Sequence, residues 1–184
     1  MRAGEHFCPG IVHAVKAKDG LLIRIRVPGG LIEANQLRAV ADLCRGFADG
    51  TIEITSRANL QLRAIRNQNL SEVVESISLA GLLPSPQHDR VRNIVTSPFA
   101  GLGGEELLDP RPLIHDLDRK LGAEPIFADL HPKFSFAVHG GPKLICLDQP
   151  SRHPDANKQT VFRLDCMKDA RTEVFPNSHG APAF

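Results

Sequence analysis

Thr51-Ile52-Glu53-Ile54-Thr55-Ser56-Arg57-Ala58-Asn59-Leu60-Gln61-Leu62-Arg63 is the stretch from which the fold is read. Ile52, Ile54, Leu60 and Leu62 are apolar, whereas Thr51, Glu53, Thr55, Arg57, Asn59, Gln61 and Arg63 are polar. Successive side chains of a strand point to opposite faces, so the alternation predicts a ribbon with one face on a core. The other face carries charge and amides. Solvation is the ordinary use of such a face.

On the N-terminal side, Leu21 to Val27 alternates in the same way, with Ile23, Ile25 and Val27 on one face and Arg24 and Arg26 on the other. This predicts a second strand, stopped by Pro28-Gly29-Gly30. Between the strands, Leu37, Val40, Ala41, Cys44 and Phe47 recur at helical spacing over Glu33–Phe47, which puts Cys44 on a buried stripe. After Arg63, Leu70, Val73, Val74 and Ile77 form the apolar face of a second helix, with Asn69 as its cap and Gly81 as its end. Strand, helix, strand, helix over residues 20–81 suits an α+β unit with helices on one sheet face. The opposite face then holds Arg24, Arg26, Arg57, Asn59, Gln61 and Arg63.

Leu82-Leu83-Pro84-Ser85-Pro86-Gln87 reads as a linker, since paired prolines punctuate a chain. A further unit begins at residues 91–98. Asp109-Pro110 opens a helix with the stripe Leu113, Ile114, Leu117 and Leu121. Lys133 to Val138 alternates as a strand, with Phe134, Phe136 and Val138 inside and Lys133 and Ser135 opposite. Gly140-Gly141-Pro142 is a turn, and Leu144 to Leu147 is a short apolar run. The domain reading is therefore 1–83, 90–148 and a tail, 149–184. The tail is polar and weakly periodic, either a loosely packed extension or a disordered segment.

Composition narrows the function. A length of 184 residues, 42% hydrophobic and 23% charged content describe an ordinary globular chain with ample core. A net charge of +1 and nine Phe without Trp or Tyr leave neither a basic excess nor a stacking surface, so no nucleic-acid partner is expected. No apolar run approaches a membrane span and no signal-peptide core is present, which predicts a cytoplasmic protein without a membrane partner. Cys8, Cys44, Cys146 and Cys166 are scattered and are expected to be reduced. His6, Cys8 and His13 match no zinc-knuckle spacing, so no metal site is assigned; the N-terminal arm is expected to pack on the sheet.

The wording of the central stretch, Thr-Ser-Arg-Ala-Asn-Leu-Gln-Leu-Arg, resembles the signature of the nitrite and sulfite reductase family in its ferredoxin-like half-domain. Four other places carry the resemblance in family order: Cys8-Pro9-Gly10, Asp19 to Gly30, Val91 to Pro98, and His131-Pro132-Lys133-Phe134-Ser135-Phe136. The implied fold class is α+β, a ferredoxin-like nitrite/sulfite reductase half-domain followed by a truncated second α+β unit of the sirohaem/iron-sulfur type.

The resemblance implies that Arg57, Arg92 and Lys133 surround an anion on the distal side of a haem. It also implies that Asn59, Gln61 and Arg63 contact the macrocycle or its carboxylates. Such a ligand needs fixed positive charge and planar hydrogen-bond forks, which arginine supplies. No catalytic residue is assigned.

Two departures shape the reading. The family's cluster ligands are four cysteines in two close pairs, and no cysteine here has a close partner. A cubane needs four converging thiolates, so this chain alone is expected to hold no cofactor of that kind. Sirohaem or another tetrapyrrole remains compatible, and a [4Fe–4S] cluster only if a partner chain supplies it. Second, Ser135 stands where sulfite reductases carry another lysine, which favours the precorrin-3B synthase branch of cobalamin biosynthesis.

In that branch the implied activity is an oxidoreductase step, an oxygen-dependent hydroxylation of precorrin-3A with lactone formation, in which the metal carries the hard chemistry. Because the chain is shorter than such enzymes, it reads as a truncated, split or non-catalytic homologue. The alternative is a non-catalytic tetrapyrrole-binding module, or a partner subunit of a cluster-bearing reductase-like chain. The partners implied are a tetrapyrrole or small anion, with a cluster-bearing chain or a second copy completing the site.

Overall fold

The computed structural model describes residues 8–102, 106, 108–140, 161–165 and 172–175, the last two stretches as backbone. His6, the Gly141-Pro142 part of the expected turn, the run Leu144–Leu147, Cys146 and Cys166 lie outside the described residues.

The first sheet has the order β1-β2-β4-β3, built from β1 (Val15–Ala17), β2 (Gly20–Ile25), β3 (Glu53–Ile54) and β4 (Leu60–Ile65), all paired antiparallel. Helices α1 (Ala34–Phe47) and α2 (Leu70–Leu79) cover one face. Ile23, Ile25, Leu62 and Ile65 from the strands close a core with Val40, Leu43, Cys44, Val73 and Ile77 from the helices. α1 starts in a reciprocal box: the Glu33 side chain takes the Gln36 N–H, and the Gln36 side chain takes the Glu33 N–H at 3.1 Å. That arrangement satisfies donors that a helix start leaves open.

The central stretch is a hairpin and not the single ribbon that its alternation suggests. The Thr55 N–H donates to the Asn59 carbonyl at 2.9 Å, the Ala58 N–H to the Thr55 carbonyl at 2.9 Å, and the Asn59 N–H to Thr55 Oγ1 at 3.1 Å. Ala58 sits at φ 55°, the left-handed conformation that lets the chain reverse. With three residues between Thr55 and Asn59, odd residues face odd and even face even across the reversal (Glu53 with Gln61, Ile54 with Leu60), so alternation alone does not reveal it. A bulge follows: Leu21 pairs with Ile65 but Ile23 pairs with Leu62, leaving an extra residue on β4, and Ala64 takes φ 57°. The bulge turns Ile65, an odd-numbered residue, into the core, where it is fully buried.

The segment expected to be a linker is packed. Leu82 and Leu83 are buried in the first core. His88 is buried between Ser85 Oγ, 2.7 Å from Nδ1, and the Glu124 carbonyl, 3.1 Å from Nε2. Asp89 is buried and accepts the Val12 and His13 N–H groups at 3.0 and 3.3 Å and meets His13 Nδ1 at 2.9 Å. It thereby fastens the N-terminal arm. A Cβ at Gly10 would lie 2.1 Å from Asp89 Oδ2, so only glycine fits there.

The second sheet has the order β5-β6-β7-β8, from β5 (Ile94–Val95), β6 (Ser135–His139), β7 (Val161–Asp165) and β8 (Thr172–Phe175). β5, β6 and β7 run parallel and β8 antiparallel. Residues 149–184, read from sequence as a tail of weak periodicity, therefore contribute two paired strands. Helix α3 (Arg111–Ala123) makes the crossover from β5 to β6, as a parallel pair requires. Ile114, Leu121, Ile94 and Val138 form its core, with Leu31 of the first unit packed against it. Ser135, expected on a solvent side opposite Phe134 and Phe136, is buried, because a strand between parallel neighbours has no free face. No described helix is long and apolar enough to cross a membrane.

Candidate functional site

The polar face of the first sheet is roofed by the N-terminal arm and the second unit, so the side chains expected in solvent lie at a seam. Gln61 stands opposite both Arg24 and Glu53 in the strand register. Its Oε1 accepts from Arg24 Nη2 at 2.7 Å and Nε at 3.3 Å, and its amide nitrogen donates to Glu53. Asn59 is buried; its Oδ1 takes the Val27 N–H at 2.9 Å and its Nδ2 donates to Asn93 Oδ1 at 3.4 Å. Asn93 in turn donates to the carbonyls of Arg90, Pro132 and Phe134 at 3.3, 3.0 and 3.2 Å. Asn59 and Asn93 thus stitch the two units together.

Arg57 lies on the same seam, with Nη2 donating at 3.4 Å to the Lys133 carbonyl. Lys133 is half-buried beside it, and its N–H donates to His131 Nδ1 at 3.2 Å. The motif residues Arg57 and Lys133, 76 positions apart, are therefore neighbours.

Arg92 and Arg63 are placed differently. Arg92 is buried and spends its fork on Asp118 of α3, with Nε–Oδ1 at 2.6 Å and Nη2–Oδ2 at 2.7 Å. Arg63 leans to the sheet edge, where Nε meets Asp19 Oδ2 at 3.1 Å and Nη1 lies 3.8 Å from Glu53 Oε1. The hydrogen bond to Asp19 holds the Arg63 guanidinium above its ordinary value and the Asp19 carboxyl below its own.

The side chains that join Arg57 are Arg24 and Arg26, which the sequence put on this face without giving them a role. Arg26 is 2% exposed. Its Nη2 donates to the carbonyls of Pro9 at 3.3 Å and Arg90 at 3.2 Å, while Nε and Nη1 have no hydrogen-bond partner among the described residues. Burial, followed by the charge of Arg24, pushes Arg26 down to about 10. Burial also lowers Arg24 and Arg57, and the latter feels Arg24 as a like charge. No carboxylate among the described residues forms an ion pair with any of the three. Asp89 favours the charged form of Arg26, and Glu53 that of Arg24, from beyond ion-pair distance, and a buried guanidinium held short of an ion pair carries a desolvation cost of several kcal/mol. Chemically, the seam is a partly dehydrated socket for an oxyanion or carboxylate. On Arg26, Nη2 is engaged by the two carbonyls, and the unpartnered Nε and Nη1 point to different sides of the guanidinium, so they are separate buried donors and not the two arms of one fork. The signal in sequence was the Arg-x-Arg of β2 lying next to the motif strand.

Of the thiols, Cys44 is buried in the first core and burial raises its pKa, whereas Cys8 is half-buried on the arm. Among the described residues, no group of three or more His, Cys, Asp or Glu side chains is placed to hold a metal ion.

Comparison with known proteins gives a consistent picture. Residues 13–80 match the nitrite/sulfite reductase ferredoxin-like half domain. The ferredoxin–nitrite reductase of Synechococcus elongatus is 38% identical over 126 residues, covering 65% of this chain and 25% of that protein. The precorrin-3B synthase of a Sinorhizobium species is 30% identical over 141 residues, covering 77% of this chain and 29% of that protein. In fold, the chain is similar to the Mycobacterium tuberculosis NirA protein, with a TM-score of 0.61 at 24% identity over 85% of this chain and 28% of that one. The chain thus spans about a quarter of the length of these relatives.

Proposed function

From the match of residues 13–80 to the nitrite/sulfite reductase ferredoxin-like half domain, we propose that this chain is the tetrapyrrole-binding part of an oxidoreductase. Its ligand is a polycarboxylate macrocycle or a small oxyanion held at the arginine seam. The observation that carries the proposal is the guanidinium cluster of Arg24, Arg26 and Arg57, without an ion-paired carboxylate among the described residues and with two buried donors unused. Sirohaem and the precorrins bear many carboxylates, and planar forks in a dehydrated site suit them. A sirohaem-type group, when bound, would supply the electron transfer. This chain's residues bind and orient: Arg26 and Arg57 take the anionic group, Lys133 adds charge at the rim, and Asn59 and Asn93 hold the two walls in register. Asn59 and Gln61 act on the ligand through that scaffold, and Arg63 and Arg92 stand at its margins.

Assignment to cobalamin biosynthesis, as a precorrin-3B synthase type, rests on Ser135 and on the likeness to the Sinorhizobium protein. A cytoplasmic location belongs to the same proposal. Purified chain titrated with uroporphyrin, an octacarboxylate porphyrin, tests the reading by visible absorbance and fluorescence. Saturable binding in the micromolar range that weakens at least about tenfold, ~1.4 kcal/mol, in Arg57→Ala supports it. Binding unchanged by that substitution overturns it.

One observation favours a second reading, a module completed by a cluster-bearing partner chain. With Cys44 in the core, three cysteines remain, and a cubane takes four thiolates. Anaerobic purification with iron and sulfide analysis discriminates: cluster absorbance from this chain alone rejects the module, and a colourless protein that still binds porphyrin supports it.

A further inference from the structure

The arginine seam has a thiol at its edge, and although Cys8 belongs to the family resemblance, neither the tetrapyrrole reading nor the match over residues 13–80 gives it a role. Cys8 immediately precedes Pro9, whose carbonyl is held by Arg26 Nη2 at 3.3 Å. The arm bearing it is fastened on both sides. The Arg24 N–H donates to the Gly10 carbonyl at 3.0 Å, and Asp89 grips Val12 and His13. Cys8 is half-buried, and it lies close enough to Arg24, Arg26 and Arg57 to interact electrostatically with all three. Arg26, 2% exposed, keeps Nε and Nη1 without partners among the described residues, on the side chain that holds the carbonyl next to this thiol. An anionic molecule drawn to those donors arrives next to a sulfur.

We propose that Cys8 is a modification site for disulfides of carboxylate-bearing small thiols, with the carboxylates docked on the Arg24–Arg26–Arg57 cluster. The proposal goes beyond the tetrapyrrole reading and stands without it. The step is thiol–disulfide exchange. Cys8 Sγ, its proton lost to solvent, attacks one sulfur of the small disulfide. The new S–S bond forms as the old one breaks, and the departing thiolate takes up a proton from water. Cys8 is oxidised to the mixed disulfide and half of the reagent is reduced to thiol, so no further oxidant enters. The cluster acts twice. Its field raises the local concentration of the anionic reagent, and its guanidinium groups face the negative charge that spreads over three sulfurs at the transition state. The adduct leaves its carboxylates on the donors that an anionic ligand would need, so modification closes the seam.

The test compares dithiobis(nitrobenzoate), a dianion, with uncharged dithiodipyridine, following each cysteine by peptide mass spectrometry so that Cys8 is read apart from Cys44, Cys146 and Cys166. The dianion-to-neutral rate ratio at Cys8 is expected to be about tenfold higher in the folded chain than in the urea-unfolded chain. It falls toward the unfolded value as salt shortens the screening length to about 3 Å near 1 M. Arg57→Gln and Arg24→Gln each lower the ratio several-fold. Equal ratios in folded and unfolded chain, or a folded ratio indifferent to salt, overturn the proposal; the salt series needs no variant and so does not depend on either one folding. Porphyrin binding that fails while the Cys8 ratio stays high rejects the tetrapyrrole reading alone.

Discussion

Two sets of arginines in this molecule meet opposite fates. Arg92 and Arg63 each have a carboxylate, Asp118 for one and Asp19 for the other. Arg24, Arg26 and Arg57 have amides and carbonyls instead, and Arg26 has donors to spare. The first set behaves as scaffold. Arg92 bolts α3 to the segment leading into β5, and Arg63 staples a sheet edge. The second set is positive charge without an ion pair among the described residues, held at the meeting of arm, hairpin and second unit and drawn only at longer range by Asp89 and Glu53. Three cations placed together at a cost in desolvation and repulsion are the basis of the proposed anion site.

The contrast can be broken or sharpened experimentally. The largest effect belongs to the scaffold set: Asp118→Ala strands a buried Arg92 and is expected to cost about 3–5 kcal/mol in urea unfolding. A loss near zero would mean that Arg92 finds another partner and is not structural. Asp89→Ala is expected to cost about 2–3 kcal/mol, because the Val12 and His13 N–H groups lose their acceptor; the same change frees the arm and lowers the Cys8 rate ratio.

For the site set the sign reverses. Arg26→Met, apolar and similar in length, is expected to stabilise the anion-free chain by up to about 1 kcal/mol while abolishing any rise of melting temperature with added polycarboxylate. Destabilisation by several kcal/mol would show that Arg26 is already compensated. Arg57→Gln is expected to move stability by no more than about 0.5 kcal/mol and to weaken porphyrin binding. The smallest effect is at the exposed edge, where Asp19→Asn lowers the urea midpoint only slightly.

Acidity follows the same division. The Asp19 carboxyl is held low by Arg63, so the contribution of that pair is present above the ordinary carboxylate range and is lost as pH falls through the lowered value. Arg26 is depressed to about 10 from its higher ordinary value, so between the two the unfolded chain binds more protons and this group's contribution to stability rises with pH. Anion binding, which uses the cation, fades as pH climbs through about 10. A titration of porphyrin affinity that stays flat across that range would remove Arg26 from the site.

The elements whose pattern is local were legible in the sequence. The stripe Val40, Cys44, Phe47 and the stripe Ile114, Leu117, Leu121 gave α1 and α3 nearly to the residue, since helical period and caps are written within a few positions. Arg57 and Lys133 were singled out by motif, and the fold sets them side by side. The hairpin was hidden because its reversal at Ala58 kept the alternation in step. The linker was misread because Pro84 and Pro86 looked like punctuation, while Leu82, Leu83, His88 and Asp89 found burial on either side of them.

By itself, then, the sequence determined the helices, the alternating strands and the set of basic residues on one sheet face, because each depends on spacing along the chain. Which of those arginines are neutralised depended on partners as remote as Asp118, 26 positions from Arg92. That Arg26 lies buried beside Pro9 and Arg90 with two donors unused, and that Cys8 is held next to it, came only from the tertiary structure. Charge is a property of the residue, but compensation is a property of the space around it.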